Sequence, residues 1–546
     1  MYILGIMIPK VVNGIQPTFI LKKGTYESRS KQAQRNNIMA AKLVKELVKS
    51  SLGPRGMDKM LITSFGDILI TNDGATILKE INVKHPVAKI LVEIARTTDS
   101  EVGDGTTSAV ILAGALLDKA EKLIDKDIHP TIIADGYKIA ADKALEILNE
   151  IAERINVNDR TRLNKIAATV MLTKLVGRDA YELAELVVNA LLRVSEKINA
   201  DYKVEIDNVK IEKKVGDSLK DTKLINGIIL SKEVAHPNMP KCIKNAKIAL
   251  INSALEIERT AISTEIRIND PNQMKRFLNE KVEILKRMFD KILSTGANVV
   301  ICQKDIDNLI QHFMVKSGIL AVKSVKDSDM VKLAKATGGR VVTDLDELKN
   351  EDLGFAELIE ERKVGNDKLI FVEGCKNPKA VSILIRGGSD RVIDEVERAI
   401  HDALIAVKNV IEKPFIVAGG GASEAHIAQR IRKWSNTLSG KEQLVVQKFA
   451  EALETIPLTL AENSGLNPID IQVELNLQHA KGNKWYGIDV FEGKVCDMYV
   501  KDVFEPVKVK EQIIKSAIEA ATLILKIDDI IFATREEESS KTKAQS

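Results

Sequence analysis

The chain has few cysteines and few histidines, and neither type is spaced to hold a metal ion. The four cysteines lie far apart without a C-x-x-C pair, and the seven histidines are scattered. Structural zinc sites need ligands at short, regular spacings, so no zinc site is expected. Separated cysteines fit reduced, buried, small apolar side chains in a cytosolic protein. They are Cys242, Cys302, Cys375 and Cys496.

Long apolar runs and an excess of one charge are also missing. No run approaches the roughly 20 apolar residues of a membrane span, and the N-terminus lacks the pattern of a secretory signal. Lys and Arg number 80 and Asp and Glu 77, a formal net charge of +3 over 546 residues. This balance gives no reason to expect nucleic acid as a partner. We expect a cytoplasmic protein of about three domains that binds neither membrane nor nucleic acid.

The common nucleotide motifs are absent. No G-x-x-x-x-G-K-[ST] segment occurs, which excludes a P-loop. Gly419-Gly420-Gly421 follows a predicted strand, but Glu424 stands where a dinucleotide fingerprint needs its third glycine. Any nucleotide site in this chain is therefore of another kind.

The most informative segment is Asp104-Gly105-Thr106-Thr107-Ser108. It precedes a periodic apolar pattern that predicts a helix ending before Pro130. Free N–H groups and the positive end of the dipole favour an anion at such a helix start, and a cation must bridge that anion to Asp104. Phosphate with Mg²⁺ fits this set. A capped helix start without a ligand is the alternative.

Two further aspartates are candidates for chemistry. Asp73 lies between a predicted strand and Gly74. This position is typical of a catalytic or metal-binding Asp at a strand end, and also of an ordinary Asn-Asp-Gly turn. Asp402 lies inside a predicted helix, where Asp is mildly unfavourable, and spacing alone does not reject the alternative of a solvated polar helix face.

The remaining pattern predicts helices, then a small α/β layer, then helices again. A helix over residues 32–51 has an apolar stripe of Leu43, Val44, Leu47 and Val48, and short strands lie on either side of Phe65 and Gly66. Asp270-Pro271 opens an amphipathic helix. Its predicted apolar face is Phe277, Leu278, Leu285, Met288, Phe289 and Ile292. A turn at residues 23–25 and a disordered charged tail from Arg535 complete the prediction.

Five segments in this order resemble the group II chaperonins of the archaeal thermosome type, with the eukaryotic cytosolic chaperonin as a near relative. They are residues 34–38 (Q-R-N-N-I), 52–61 (L-G-P-R-G-M-D-K-M-L), 72–76 (N-D-G-A-T), 103–107 (G-D-G-T-T) and 419–422 (G-G-G-A). The resemblance covers about residues 19–533. It implies a multidomain α plus α/β chaperonin fold, in which the chain passes through the domains in turn and then returns, so that two domains are each formed by two separate segments.

The resemblance also implies where the domains divide. A helical equatorial ATP-binding domain would comprise residues 1–157 and 416–546. A small intermediate hinge domain would comprise 158–222 and 379–415. An α/β apical client-binding domain would comprise 223–378, with a helical protrusion at about 255–293 as a built-in lid.

Carried over to this chain, the family's site predicts ATP and Mg²⁺ as ligands. Leu52, Gly53 and Pro54 would lie under the phosphates, Asp104 would bind Mg²⁺, and Gly105, Thr106, Thr107 and Ser108 would hold phosphate oxygens. Asp73 and Asp402 would orient and polarise the attacking water, and Lys174 would sense the γ-phosphate. Gly420 and Gly421 would flank the nucleoside, and Glu505 would accept from the ribose hydroxyls. At Val170 and Met171 the Lys174 segment departs from the usual Ser/Thr-rich pattern.

The implied function is that of an ATP-hydrolysing chaperone subunit. Identical or sister subunits would form two stacked rings that enclose non-native proteins, with lid closure coupled to hydrolysis. A mainly structural or regulatory subunit of a mixed ring is one alternative. A kinase- or synthetase-like ATPase is another, but no second substrate motif is found.

Overall fold

The computed structural model describes residues 26–62, 66, 68–81, 83–174, 177–198, 201–257, 271–375 and 378–532. Four predicted features lie outside these residues: the turn at 23–25, Phe65, the helix cap Asp270 and the charged tail from Arg535. Part of the predicted protrusion also lies outside them.

The first part of the described chain is mainly helical. Its elements are β1 (Tyr26–Arg29), α1 (Ser30–Lys49), β2 (Lys59–Ile62), β3 (Ile68–Thr71), α2 (Gly74–Glu80), α3 (Pro86–Val102), α4 (Thr106–Ile124), α5 (Pro130–Ile151) and β4 (Glu153–Arg154). Helix α4 is buried on nearly every side, as a central helix must be. The predicted helix at 32–51 is confirmed as α1, but its apolar stripe is only half right. Val44 and Val48 are buried, whereas Leu43 and Leu47 are exposed.

The middle of the chain adds two helices and several strands. These are α6 (Arg160–Met171), α7 (Ala180–Val194), β5 (Glu196–Ile198), β6 (Asp201–Lys203), β7 (Val209–Val215), β8 (Lys223–Ile225), β9 (Gly227–Leu230) and β10 (Cys242–Ile251). Strand β7 pairs with a later strand, β16 (Val381–Gly387), in parallel. This pairing brings residues on either side of the α/β layer together.

The α/β layer itself contains one large mixed sheet. Its further elements are α8 (Pro271–Ser294), β11 (Val299–Cys302), α9 (Asn308–Lys316), β12 (Leu320–Val322), α10 (Asp327–Thr337), β13 (Val341–Val342), β14 (Gly354–Val364) and β15 (Asp367–Glu373). The strands run in the order β12-β11-β10-β14-β15-β9, with β13 on β10. The sequence patterns predicted the parallel part around β11 and β12 but not the long antiparallel hairpin of β14 and β15.

Helix α8 buries less of its predicted face than expected. Leu285, Phe289 and Ile292 pack against the sheet, while Phe277 and Leu278, nearer the start of the helix, are exposed. The C-terminal half of α8 therefore belongs to the core, and the N-terminal half extends beyond it.

The last part of the chain returns to the first helices. It contains α11 (Asp390–Glu412), β17 (Phe415–Ala418), α12 (Ala422–Ser435), α13 (Gly440–Leu453), α14 (Thr455–Asn463), α15 (Pro468–Ala480), β18 (Tyr486–Asp489), β19 (Lys494–Asp497), β20 (Phe504–Pro506), α16 (Val507–Leu525) and β21 (Asp529–Phe532). Helix α16 packs on α3, α4 and α5, and β21 pairs with β1. Strand β17 lies between β20 and β4.

Apolar side chains form three main cores. The first joins residues 38–151 to residues 417–525, and the second joins residues 155–209 to residues 381–416 and Phe504. The third covers both faces of the large sheet. Along β17, Ile416 faces the second core and Val417 the first, because successive strand residues point to opposite sides. The domain boundaries given above stay a prediction.

The described cysteines are all free, which fits the expectation of reduced thiols. Cys302 and Cys375 are buried, as predicted, but Cys242 is exposed and Cys496 is half-buried, so the prediction of burial was wrong for those two. Among the described residues, no helix is both long and apolar enough to cross a membrane.

Candidate functional site

The N-terminus of helix α4 is open to a ligand. Gly105 caps the helix in the left-handed conformation (φ 78°), and no side chain caps the first turn. A Cβ at Gly105 would lie 2.6 Å from Ile513 Cδ1, so both backbone and packing require glycine. The backbone N–H of Gly105 donates to Asp104 Oδ1 at 2.7 Å. This arrangement suits an anion and fixes one acidic side chain beside it.

A second helix start meets the first. Asp73 caps α2 and accepts from the backbone N–H of Thr76 at 2.8 Å. A Cβ at Gly74 would lie only 2.4 Å from Thr107 Oγ1, so the two helix starts are in close contact. The predicted turn at residues 71–74 is thus the cap of a helix, and it places Asp73 beside the segment of residues 104–108.

Lys174 joins the two aspartates that were predicted to act on water. Its Nζ lies 3.0 Å from Asp73 Oδ1 and 3.0 Å from Asp402 Oδ2. The loop after α6 that carries Lys174 is held by Asn72, whose Nδ2 donates to the Thr173 carbonyl at 2.7 Å. Three separate stretches of chain therefore meet at one buried ammonium group.

The two carboxyls differ in their electrostatics. Burial raises the pKa of Asp402 well above its ordinary value, more than the neighbouring Lys174 lowers it. Burial also acts to raise the pKa of Asp73, but Lys174 and the hydrogen bonds from Thr76 outweigh it and lower that pKa. One carboxyl is set to take up a proton and the other to stay ionised, the division of roles that acid–base chemistry uses.

The glycine loop after β17 permits close packing rather than a Rossmann turn. Gly420 and Gly421 both have left-handed φ values, 63° and 76°. A Cβ at Gly421 would lie 2.7 Å from Pro457 Cβ, and one at Gly420 would lie 2.9 Å from the Ile488 carbonyl oxygen. Any other residue would be strained or would clash.

Glu505 belongs to a buried cluster of charged side chains. It lies on β20 and pairs with Lys510, whose Nζ is 2.5 Å from Glu505 Oε2 and 2.7 Å from Glu424 Oε1. Burial raises the pKa of Glu505, whereas Lys510 lowers that of Glu424 despite its burial. Sequence reasoning missed Lys510 altogether and treated Glu424 only as a mismatch to a fingerprint. No short motif links residues 86 positions apart.

These elements enclose one cavity of about 370 Å³. Every predicted site residue except Asp402 lines it, and Asp402 contacts Lys174, which does. The part of the cavity wall next to Gly420 was not predicted from the sequence. It is formed by β18, the turn after it and Met498, and it includes Ile488, Asp489 and Phe491. The cavity thus combines the N–H donors and carboxylates of the helix starts with a wall of mixed apolar and charged side chains beside the glycine loop.

The donor set fits a phosphate-bound magnesium ion rather than a protein-bound metal. Within the part of the chain that the structure describes, no group of three or more His, Cys, Asp or Glu residues is arranged to hold a metal. Asp104 supplies a carboxylate directly at the open helix start, and Asp73 lies on the adjacent helix start. Mg²⁺ is commonly held by one or two carboxylates together with substrate phosphates and waters.

Known proteins resemble the whole chain. The model of the TCP-1/cpn60 chaperonin family matches residues 44–535. The chain is 56% identical to thermosome subunit alpha of Archaeoglobus fulgidus over 517 residues, which cover 95% of each chain. It is 53% identical to thermosome subunit beta of Thermococcus kodakarensis and 53% identical to a thermosome subunit of Pyrococcus horikoshii, each over 526 residues and 96% of each chain.

Proposed function

The chain belongs to the TCP-1/cpn60 chaperonin family, and from that premise we propose that its cavity binds and hydrolyses ATP. It is a group II chaperonin subunit that takes part in protein folding. The observation that carries the ATP proposal is the convergence of an open helix start, Asp73, Asp104 and Lys174 in one cavity, with Asp402 behind them on Lys174.

We propose the following placement of the nucleotide. The part of the cavity around Ile488 and Phe491 takes the base, and Glu505 accepts from the ribose hydroxyls. The phosphates lie over the loop at Leu52, Gly53 and Pro54 and against the N–H groups of the first turn of α4. Mg²⁺, held by Asp104, neutralises charge on the phosphate oxygens when bound.

Hydrolysis in this proposal depends on two aspartates from distant parts of the chain. Asp73 and Asp402 orient a water for in-line attack, and Asp402, the carboxyl whose pKa burial raises, takes up its proton. In the structure, the ammonium group of Lys174 forms ion pairs with both carboxylates. Lys174 must release them as it moves to the γ-phosphate, so the helix that carries Asp402 and the Lys174 loop respond together to the nucleotide.

At the level of the particle, we propose stacked rings in the cytoplasm, made of identical or sister subunits. The relatives named thermosome subunit alpha and beta favour a ring with sister chains. The residues around the large sheet would bind non-native clients, and the protrusion that includes α8 would serve as the lid. The predicted equatorial, intermediate and apical boundaries belong to this proposal, because three cores separate along similar lines. The alternative of a mainly structural subunit is not favoured, since none of the site carboxylates is missing.

The ATPase proposal is tested with two isosteric variants. In assembled protein, we expect Asp402→Asn and Asp73→Asn each to lower steady-state ATP turnover about 100-fold or more, because each removes a carboxylate that orients the water or takes up its proton. Asn still caps a helix, so α2 is retained in Asp73→Asn.

Asp394→Asn is the matched control, since Asp394 lies on the same helix α11 with an exposed side chain bound to Lys213 at 2.7 Å. It is expected to turn over ATP at the wild-type rate. Near-normal turnover in both site variants would remove the aspartates from the mechanism.

A kinase- or synthetase-like ATPase, the other alternative, is not favoured, because the chain belongs to a chaperonin family. We expect the assembled protein to suppress aggregation of a chemically denatured client and to release the client when ATP is added. ATP hydrolysis without any effect on the light scattering of the client would contradict the proposed coupling of hydrolysis to client release.

A further inference from the structure

A buried lysine ties the glycine loop to the strand that carries Glu505. Lys510 is 6% exposed and Glu424 is 5% exposed. Lys510 Nζ reaches Glu424 Oε1 at 2.7 Å and Glu505 Oε2 at 2.5 Å. Ser423 Oγ donates to the other oxygen of Glu424 at 2.9 Å. The lysine and Glu424 are thus locked inside the protein, and Glu505 is fastened to them at the cavity wall.

The backbone explains why these three side chains meet. Glu505 is paired with Val417 across β20 and β17, and the glycine loop begins two residues after Val417. Helix α16 begins at Val507, so Lys510 projects from its first turn back toward the strand. Glu424 lies in the first turn of α12, directly after the glycine loop. Both sides of the nucleoside end are therefore joined through one ammonium group.

The orientation of Glu505 follows from its two neighbours. Its Oε2 is held by Lys510, and its Oε1 lies 2.7 Å from where a Cβ on Gly419 would be. A side chain at position 419 would displace that oxygen from its present place. Without Lys510, the buried carboxyl of Glu424 and the half-buried carboxyl of Glu505 would lie near each other with no cation between them, and like charges shielded from water repel.

We propose that Lys510 is a positioning residue for nucleotide recognition. It holds Glu505 in the one orientation that accepts from the ribose hydroxyls, while Glu424 fixes Lys510 to the start of helix α12. This inference rests on the proposed ATP-binding function. It adds a residue that determines preference for a ribonucleotide over a deoxyribonucleotide.

The test compares dissociation constants of MgATP and Mg-2′-deoxy-ATP for the assembled full chain by calorimetry. In the wild type we expect ATP to bind about tenfold more tightly than 2′-deoxy-ATP, the effect of one hydrogen bond to a charged acceptor. In Lys510→Met we expect that ratio to fall to about one, because Glu505 is no longer held toward the sugar. A purely structural role would weaken both nucleotides equally and leave the ratio unchanged.

Lys508→Met is the matched control, because it removes the same charge from the same helix turn without touching the cavity wall. It is expected to keep the wild-type ratio. If Lys510→Met does not fold, judged by its melting transition, the double variant Lys510→Met/Glu424→Gln takes its place. That variant removes the repulsion but not the positioning defect, and we again expect a ratio of about one.

The outcomes separate the two proposals. A wild-type protein that binds neither nucleotide overturns the proposed function. A wild-type preference for ATP that persists in folded Lys510→Met, or that the double variant retains, overturns only the role of Lys510. Equal binding of ATP and 2′-deoxy-ATP by the wild type overturns the ribose contact of Glu505 and the inference with it.

Discussion

At the scale of single residues, Lys174 is the ion-pair partner of both buried aspartates of the candidate site. Its ammonium group is shared by Asp73 and Asp402, which lie 329 positions apart in the chain. A buried cation between two carboxylates is held by strong local charges, so only another strong charge displaces it. In the proposed ATP site, the γ-phosphate carries such a charge, and bound ADP lacks it. Under that proposal, Lys174 distinguishes the two nucleotides.

We therefore predict that Lys174→Met loses selectivity for ATP over ADP. The affinity for MgATP should fall about tenfold, whereas that for MgADP should stay within about twofold, because only ATP offers the γ-phosphate contact. Titration calorimetry of both nucleotides measures the two affinities. Lys165→Met is the matched control, since Lys165 lies on α6 and makes a half-exposed ion pair with Asp502 at 3.3 Å. Equal weakening of ATP and ADP would contradict the assignment.

At the scale of elements, a pair of buried histidines joins α12 to α15. The Nδ1 atoms of His426 and His479 lie 3.3 Å apart, and both rings are buried. Burial, assisted by the neighbouring ring, lowers the pKa of His426 to about 4, and burial lowers that of His479 to about 4 as well. Two imidazolium rings at this distance would repel each other, so the contact between the helices requires neutral rings.

This pair predicts a loss of stability in mild acid. Both folded-state pKa values lie below the ordinary histidine value of about 6.5, so between about pH 6.5 and 4 the unfolded chain binds more protons than the folded chain. The free energy of unfolding therefore falls as the pH falls through that window. The melting temperature should be lower at pH 4.5 than at pH 7.

The double variant His426→Leu/His479→Leu should show a smaller difference between the two pH values. His312→Gln, on the exposed side of α9, should show the wild-type difference. If the melting temperature falls equally in the double variant and the wild type between pH 7 and pH 4.5, other groups cause the acid sensitivity.

Local pattern predicted many elements well and their exposure less well. The helix start at Thr106 and the strands near Val299 and Leu320 follow from caps, glycine and apolar runs that lie within a few residues. The exposure of Leu43 on α1 could not be predicted in this way. An apolar residue in the sequence does not indicate whether it packs against its own chain, packs against another molecule or stays exposed. Strands β14 and β15 mix charged and apolar residues, since one side of the hairpin is only half-buried, and this hides the alternation.

At the scale of the whole molecule, one surface of the single chain is unusually apolar. The hairpin of β2 and β3 exposes Met60, Ile62, Ile68 and Ile70, and Ile62 is 72% exposed. Contiguous apolar surface of this kind marks an interaction site, and the proposed ring supplies a neighbouring subunit to cover it.

We predict that Ile62→Lys prevents or weakens assembly, because a charge must then be buried against apolar surface. Sedimentation and electron micrographs of the purified protein should show smaller particles in place of stacked rings. Val331→Lys is the matched control, a similar change at an exposed apolar residue on α10, and it should assemble normally. Intact rings in Ile62→Lys would mean that the hairpin stays uncovered.

Local sequence was enough to predict the open helix start at Gly105 and the aspartates Asp73 and Asp104 that precede α2 and α4. These features follow from neighbours along the chain. The pairing of Lys174 with both Asp73 and Asp402, and the link that Lys510 makes between Glu424 and Glu505, depend on the tertiary fold. Ion pairs between distant segments produce no periodic sequence pattern, because their attraction acts only when packing of the hydrophobic cores has brought those segments together.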